Sequence, residues 1–293
     1  MEFVISDLEK MITQERENEC IIQNYIKDGK ANYVRPEGNV VRQISPAGQA
    51  LLYANNTKAR INFATIAHDE VLDHFRALSR KDQKSACFVT LTPRRFSMPL
   101  DEAWKFDAKP LQDWAHEALG GLHHFGMIEA ALYPRHRLSA AGEPGTISWH
   151  VHAIVWGMSK QDLDGRLEPI CAQDQSLLAR GKVYHCKKIK VEAVGKYLLY
   201  GLKSPQNQYL TFSLAKERID LETGEIRSEP MHQRKGKLRP GQRVQMCNVL
   251  QYQHLDQLLV AGGDGVQVSR KVRKEALRPL RMRRDLGRRT RFS

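Results

Sequence analysis

The chain has 293 residues, with 46 Lys and Arg against 33 Asp and Glu and a formal charge of +13. At 41% hydrophobic and 27% charged residues it can bury a core, which excludes a wholly disordered chain. No apolar run approaches the roughly 20 residues that span a bilayer, and MEFVISDLEKMITQ lacks the basic-then-apolar pattern of a secretory signal, so the expectation is a protein with no membrane partner. Cys20, Cys87, Cys171, Cys186 and Cys247 are scattered and form no CxxC pair, which argues against a disulfide framework or zinc ribbon and fits a reducing cytoplasm.

Residues 1–84 read as a helical accessory region. Ile5, Leu8 and Ile12 recur at helical spacing, and Cys20, Ile21, Ile22 and Tyr25 follow. Ser45-Pro46 is a helix start with Pro at the first helical position, and residues 65–80 form another amphipathic helix. No chemistry-bearing motif falls in this region. The pattern turns to β at Cys87. In CFVTLTP, Cys87, Val89 and Leu91 share one face, Phe88, Thr90 and Thr92 the other, and Pro93 ends the run. Residues 101–119 are helical, with Trp104, Leu111, Trp114, Ala115 and Leu119 apolar and Pro110 expected to break or kink the helix. Residues 125–132 and 147–156 are strands on either side of a polar, Gly/Pro-containing turn at 135–145, which makes an antiparallel hairpin. Ser159 N-caps a short helix to Leu167, residues 182–189 form a fourth strand, and residues 191–203 form a last helix ended by Ser204-Pro205.

This order predicts an α+β fold: a split βαβ, ferredoxin- or RRM-like antiparallel sheet with helices on one face. An N-terminal helical region (1–84), a central domain (85–205) and a basic C-terminal region, partly tail-like (206–293), complete the expected layout. In the third strand Ile147, Trp149, Val151, Ala153 and Val155 form an apolar face to meet the helices. Ser148, His150, His152, Ile154 and Trp156 lie opposite. The charge is concentrated late. Residues 266–293 carry 11 Lys and Arg against 2 acidic residues, and residues 227–243 carry 6 against 1. Such basic stretches attract phosphate backbones through counterion release, with Arg281, Arg283 and Arg284 among the expected contacts; the plain alternative is a solvated tail.

His150 and His152 put two imidazoles on one side of one strand, roughly 6–7 Å apart at Cα, a spacing that lets both bind one cation. A His pair on a strand is often structural, but Glu129 interrupts the apolar run GMIEAALY on the partner strand. A hairpin centred on residues 136–144 pairs it close to His150 and His152. Two imidazoles and a carboxylate make a mixed N/O site suited to Mg²⁺ or Mn²⁺ acting on phosphate; the plain alternative for Glu129 is a salt bridge to Arg135 or Arg137. On the last helix, at about 100° per residue, Lys196, Tyr200 and Lys203 fall within about 60° of arc. Val191, Val194, Leu198 and Leu202 fill the opposite side, and Tyr197 lies at a border. A phenol between two ammonium groups is a candidate nucleophile; its plain reading is a ring covering the helix surface.

Together these motifs resemble the HUH endonuclease superfamily, particularly the rolling-circle replication initiators of plasmids and phages. FVTLTP (Phe88–Pro93) is similar to the family's first motif, HVHAIVWG (His150–Gly157) to the HUH motif, and KYLLYGLK (Lys196–Lys203) to the Tyr motif, with Tyr200 and Lys203 matching YxxK. The resemblance covers about residues 86–205. It implies a site-specific nickase in which His150, His152 and Glu129 hold a divalent ion, Tyr200 forms a 5′-phosphotyrosine, and Lys203 and Lys196 orient the phosphate. Arg94 and Arg95, just past the first motif, are expected contacts to the DNA backbone; the plain alternative is surface arginines with no such role. Single-stranded or hairpin origin DNA is the implied substrate, with a host helicase and polymerase as partners; there is no GxxxxGK[ST] motif for unwinding. Tyr197 departs from the four-residue spacing of two-tyrosine initiators, so one or two nucleophiles remain open. An HUH transposase or relaxase and a non-catalytic DNA-binding protein are the rival readings.

Overall fold

The computed structural model describes residues 6–30, 52–136, 138, 145–178, 181–212, 218–219, 226–227 and 232–289, with backbone alone at 218–219, 226–227, 232 and 279–289. The Ser45-Pro46 helix start and most of the loop at 136–144 lie outside the described residues.

Helix α1 (Asp7–Lys27) starts at a capping box. Ser6 Oγ accepts from the Glu9 amide at 3.2 Å, and the Glu9 carboxylate accepts from the Ser6 amide at 2.8 Å. Its buried stripe is Met11, Glu15, Asn18 and Ile22, so two polar residues face inward where the apolar spacing points to others. Helix α2 (Thr57–Ala77) is N-capped by Asn56 and begins eight residues before the expected start; a short α3 (Arg80–Lys84) leads to β1 (Cys87–Leu91) and β2 (Ser97–Pro99). The predicted helix at 101–119 is a single 3-10 turn at 103–105 followed by α4 (Ala108–Ala118). Pro110 does not break it. Pro110 sits in the first turn, where no backbone N–H has an intrahelical partner to lose. Then follow β3 (His123–Tyr133), β4 (Thr146–Trp156), α5 (Lys160–Cys171), β5 (Tyr184–Lys188) and α6 (Val194–Leu202). The chain continues through β6 (Asn207–Phe212), β7 (Arg218–Ile219), β8 (Ile226–Arg227), β9 (His232–Lys237), α7 (Pro240–Leu250), β10 (Leu259–Gly262) and α8 (Gly265–Arg289).

The fold is α+β around a mixed sheet ordered β5-β1-β4-β3-β6-β9, with β2 added on β4 and β10 on β3. All pairings in this sheet are antiparallel except β3 with β6, which run parallel through Leu132 and Gln208. The sheet therefore extends beyond the four strands the sequence signals.

Helices cover both faces, not one. Opposed residues of an antiparallel pair point the same way, so Val155, paired with His124, marks one face and His150, paired with Glu129, the other. On the first face Phe106 stacks on Trp149 with centroids 4.0 Å apart, and His116 of α4 lies 6.0 Å from His124. On the second, Phe75 of α2 meets Trp156 at 5.1 Å, and Tyr200 of α6 meets His152 at 5.2 Å. One buried cluster runs from Met11 to Ala276, with no break at residues 84 or 205.

The C-terminal region is only partly a tail. Val268, Val272 and Ala276 of α8 are buried and the helix packs on α2, where Lys271 pairs with Glu70 at 3.6 Å. Helix α8 continues through Pro279. Among the described residues no helix is long and apolar enough to cross a membrane, and the five cysteines are free.

Candidate active site

Strands β3 and β4 place Glu129 directly opposite His150. Glu129 Oε2 lies 3.0 Å from His152 Nε2 and 3.8 Å from His150 Nε2, and the two Nε2 atoms are 3.1 Å apart. For ligand bonds of about 2.1 Å, donors of a tetrahedral or octahedral site sit about 3.0–3.4 Å from one another; two of the three spacings fall in that range and the Glu129–His150 pair at 3.8 Å exceeds it, so the group could hold one small divalent ion once that pair closes slightly. The outer ring nitrogens support it: His150 Nδ1 is 3.1 Å from the Ser148 carbonyl, and His152 Nδ1 is 2.9 Å from Thr90 Oγ1. With Nδ1 so engaged, both rings turn Nε2 inward. These three are the one His/Cys/Asp/Glu group of metal-holding geometry among the described residues.

Burial, then the neighbouring His152, push the His150 imidazole down to about 4 against the pull of Glu129 and the Ser148 carbonyl, so it is neutral with a free lone pair at neutral pH. Burial would raise the Glu129 carboxyl. The hydrogen bond from His152, with the charges of His152, His150 and Lys203, outweighs it and holds Glu129 below its ordinary value.

Helix α6 lies close to this group. A Cβ on Gly201 would sit 3.1 Å from His152 Cβ, so a small residue is needed for α6 to lie on β4. Tyr200 stands beside His152, with Lys203 Nζ over its ring at 4.1 Å. The far end of α6 is fixed by two buried residues of the N-terminal helices. Arg60 Nη1 donates to the Leu202 carbonyl at 2.7 Å, and Glu15 Oε1 accepts from the Ser204 amide at 2.6 Å. The accessory region thus holds the tyrosine helix in place, a role that sequence periodicity does not reveal.

The other expected residues divide. Tyr197 packs on Phe88 at 4.9 Å, with Lys187 Nζ over its ring at 5.4 Å, on the rim of the same cleft. Lys196 is exposed on α6. Arg95 is committed elsewhere: it pairs with Asp174 at 3.1 Å and lies over Phe96 and Trp114, on the α4 side. Arg94 is exposed, and the side chains of Arg281, Arg283 and Arg284 lie outside the described ones.

Several cleft residues belong to none of the motifs or have no role assigned within one. Phe88 stacks on His152 at 5.2 Å. Tyr133 and Tyr209 stack at 5.3 Å, and burial pushes the Tyr133 phenol up to about 12. Lys235 Nζ donates to Tyr200 Oη at 3.3 Å. For Lys235 the sequence signal is the basic run at 227–243, which gives charge but no position. The arrangement could hold a divalent cation, and beside it stands a phenol between two ammonium groups. No protein-family model, curated protein or solved structure matches the chain.

Proposed function

We propose that this protein nicks and rejoins single-stranded DNA through a 5′-phosphotyrosine on Tyr200, as the HUH resemblance implies, and that it acts in rolling-circle replication. The observation that carries the reading is the convergence of Glu129, His150 and His152 with Tyr200, whose ring lies 5.2 Å from His152 under the Lys203 ammonium. The strand order β5-β1-β4-β3, with α4 and α5 in the crossovers, supports the split βαβ core within the larger sheet.

Glu129, His150 and His152 would hold Mg²⁺ or Mn²⁺, the hard or borderline ions an N/O donor set suits. A divalent ion bound there supplies a Lewis acid for a phosphate oxygen. The chain's own residues do the rest. Tyr200 Oη forms a bond to phosphorus, the bond from phosphorus to the 3′-oxygen breaks, the phenolic proton passes to solvent, and the 3′-oxygen takes a proton from solvent. Lys203 offsets the phosphate charge, and Phe88 and the Tyr133–Tyr209 pair give the cleft flat faces for bases. The diester energy stays in the tyrosyl bond, so the 3′-hydroxyl can reverse the step without ATP.

The test is incubation of a circular single-stranded DNA library with Mn²⁺, followed by denaturing gels and mass spectrometry of tryptic peptides. Tyr197 and Tyr200 share the peptide YLLYGLK, so fragmentation tells them apart. A nucleotide on Tyr200, lost in Tyr200→Phe, is the expected result. DNA binding without an adduct would make the protein a non-catalytic binder.

A further inference from the structure

Strands β6 and β9 lie outside the stretch that resembles the HUH family, yet they reach the tyrosine. Tyr209 and Lys235 are opposed in the β6–β9 ladder, so their side chains leave the sheet on the same face. Lys235 ends at Tyr200: its Nζ is 3.3 Å from the hydroxyl and 5.3 Å from the ring centre. Tyr209 lines the same cleft as Tyr200. Lys203 Nζ sits over the ring, 4.1 Å from its centre. The two lysines therefore do different things. Lys203 lies on the ring; Lys235 touches the reacting oxygen.

We propose that Lys235 is a catalytic residue of this site: it aims the Tyr200 hydroxyl and binds the anionic group that the hydroxyl attacks. The assignment rests on Tyr200 being the nucleophile. A phosphorus that approaches Oη from the side of Lys235 brings its unbridged oxygens within hydrogen-bond reach of an ammonium 3.3 Å from Oη. The charge that builds on those oxygens then meets a cation already in position, so little reorganisation is needed. The contact also explains why a sheet expected to end at its fourth strand continues. The β6–β9 pair carries the second cation to a site whose other parts come from β3, β4 and α6. Its basic run is thus a positioned group rather than a diffuse patch.

The test uses two readouts on the full chain, with Lys235→Met and Lys235→Arg. The first needs neither DNA nor metal: the labelling rate of Tyr200 by a small aryl sulfonyl fluoride, read by mass spectrometry, with Tyr197 on the same peptide as internal reference. The tyrosyl oxygen bonds to sulfur, fluoride leaves, and the phenolic proton goes to solvent. Lys235→Met should slow labelling at Tyr200 at least tenfold, leave Tyr197 unchanged, and be largely rescued by Lys235→Arg. The second is adduct formation on single-stranded DNA, where Lys235→Met should slow the chemical step by at least tenfold, a larger factor than its loss of DNA affinity. Wild-type labelling of Tyr200 in Lys235→Met overturns the assignment, whatever DNA does. Slowed labelling in a protein whose wild type forms no DNA adduct keeps Lys235 at Tyr200 and instead overturns the nickase reading. If circular dichroism shows Lys235→Met unfolded, Lys235→Gln replaces it under the same criteria.

Discussion

Replacing Thr90 by Val should weaken divalent-metal binding about 10- to 100-fold, the usual loss when the outer-nitrogen partner of a ligating histidine is removed. Thr90 stands directly opposite His152 in the β1–β4 ladder, and its Oγ1 is 2.9 Å from His152 Nδ1. Val keeps the shape and the β-branch, so β1 and its packing on His152 are retained and only the hydrogen bond goes. The ring is then free to rotate or to present the other tautomer, and Nε2 is no longer held inward. A 10- to 100-fold loss corresponds to about 1.4–2.7 kcal/mol. Ser148→Ala is the matched control. His150 Nδ1 meets the Ser148 backbone carbonyl, not its hydroxyl, so that substitution leaves the hydrogen bond in place and should change affinity by less than about threefold. Calorimetric titration with Mn²⁺ at one fixed pH, on wild type and both variants, measures the difference. Wild-type affinity in Thr90→Val, or an equal loss in Ser148→Ala, would refute the argument that ring orientation is set at these two atoms.

Gly201→Val should cost about 1–3 kcal/mol and lower metal affinity as well, because its Cβ would crowd His152 Cβ at 3.1 Å; chemical denaturation and the same titration check both. His124, buried with Nδ1 on the Leu122 carbonyl, has its imidazole pushed down to about 4 by burial. A depressed histidine contributes stability that is present above its unfolded value near 6.5 and lost as pH falls towards 4, so the protein should lose about 2.5 kcal/mol between about pH 7 and 4.5 from this group alone. His124→Leu should remove that part of the pH dependence in denaturant melts; an unchanged pH slope would show that His124 is not its source. Deleting residues 279–293 removes six Arg and one Asp but spares the buried Val268, Val272 and Ala276, so the fold should survive. For each Arg–phosphate pairing that the deletion removes, the log–log salt slope on single-stranded DNA should fall by about 0.7, equally for all sequences; an effect confined to one sequence would make this segment a reader of bases.

Much of the site is legible in the sequence because it is local. A hairpin with its loop centred near residue 140 pairs residues whose numbers sum to about 279, and Glu129 and His150 are such a pair. Strand alternation then puts His152 on the same face, and helical spacing puts Tyr200 and Lys203 together. The other contributors arrive from distant parts of the chain. Arg60, Glu15 and Lys235 reach α6 across 142, 189 and 35 residues, and no period relates them to it. Glu15 is further hidden because a buried carboxylate looks, in sequence, like any exposed position of a charged helix. Arg95 is the opposite case: a basic residue next to a motif is a fair expectation for phosphate contact, and the structure pairs it with Asp174 and lays it over the Phe96 and Trp114 rings, contacts the sequence does not signal.

The helices on the second face have a sequence signal that the polar histidines mask. Along that face of β4 the residues run Thr146, Ser148, His150, His152, Ile154, Trp156, and on β3 they run Tyr133, Ala131, Glu129, Met127, Phe125. The face is polar at one end and apolar at the other. A face left to solvent has no reason to concentrate Ile154, Trp156, Phe125 and Met127, all of which are buried under α2 and α6. His152 stands where the two halves meet, with Phe88 and Gly201 against it on one side and the open cleft on the other. That boundary would reconcile two demands on the proposed metal and phosphate site. The covered half keeps water from the imidazoles and fixes their rings, and the open half would admit a polymer that could not enter a closed pocket.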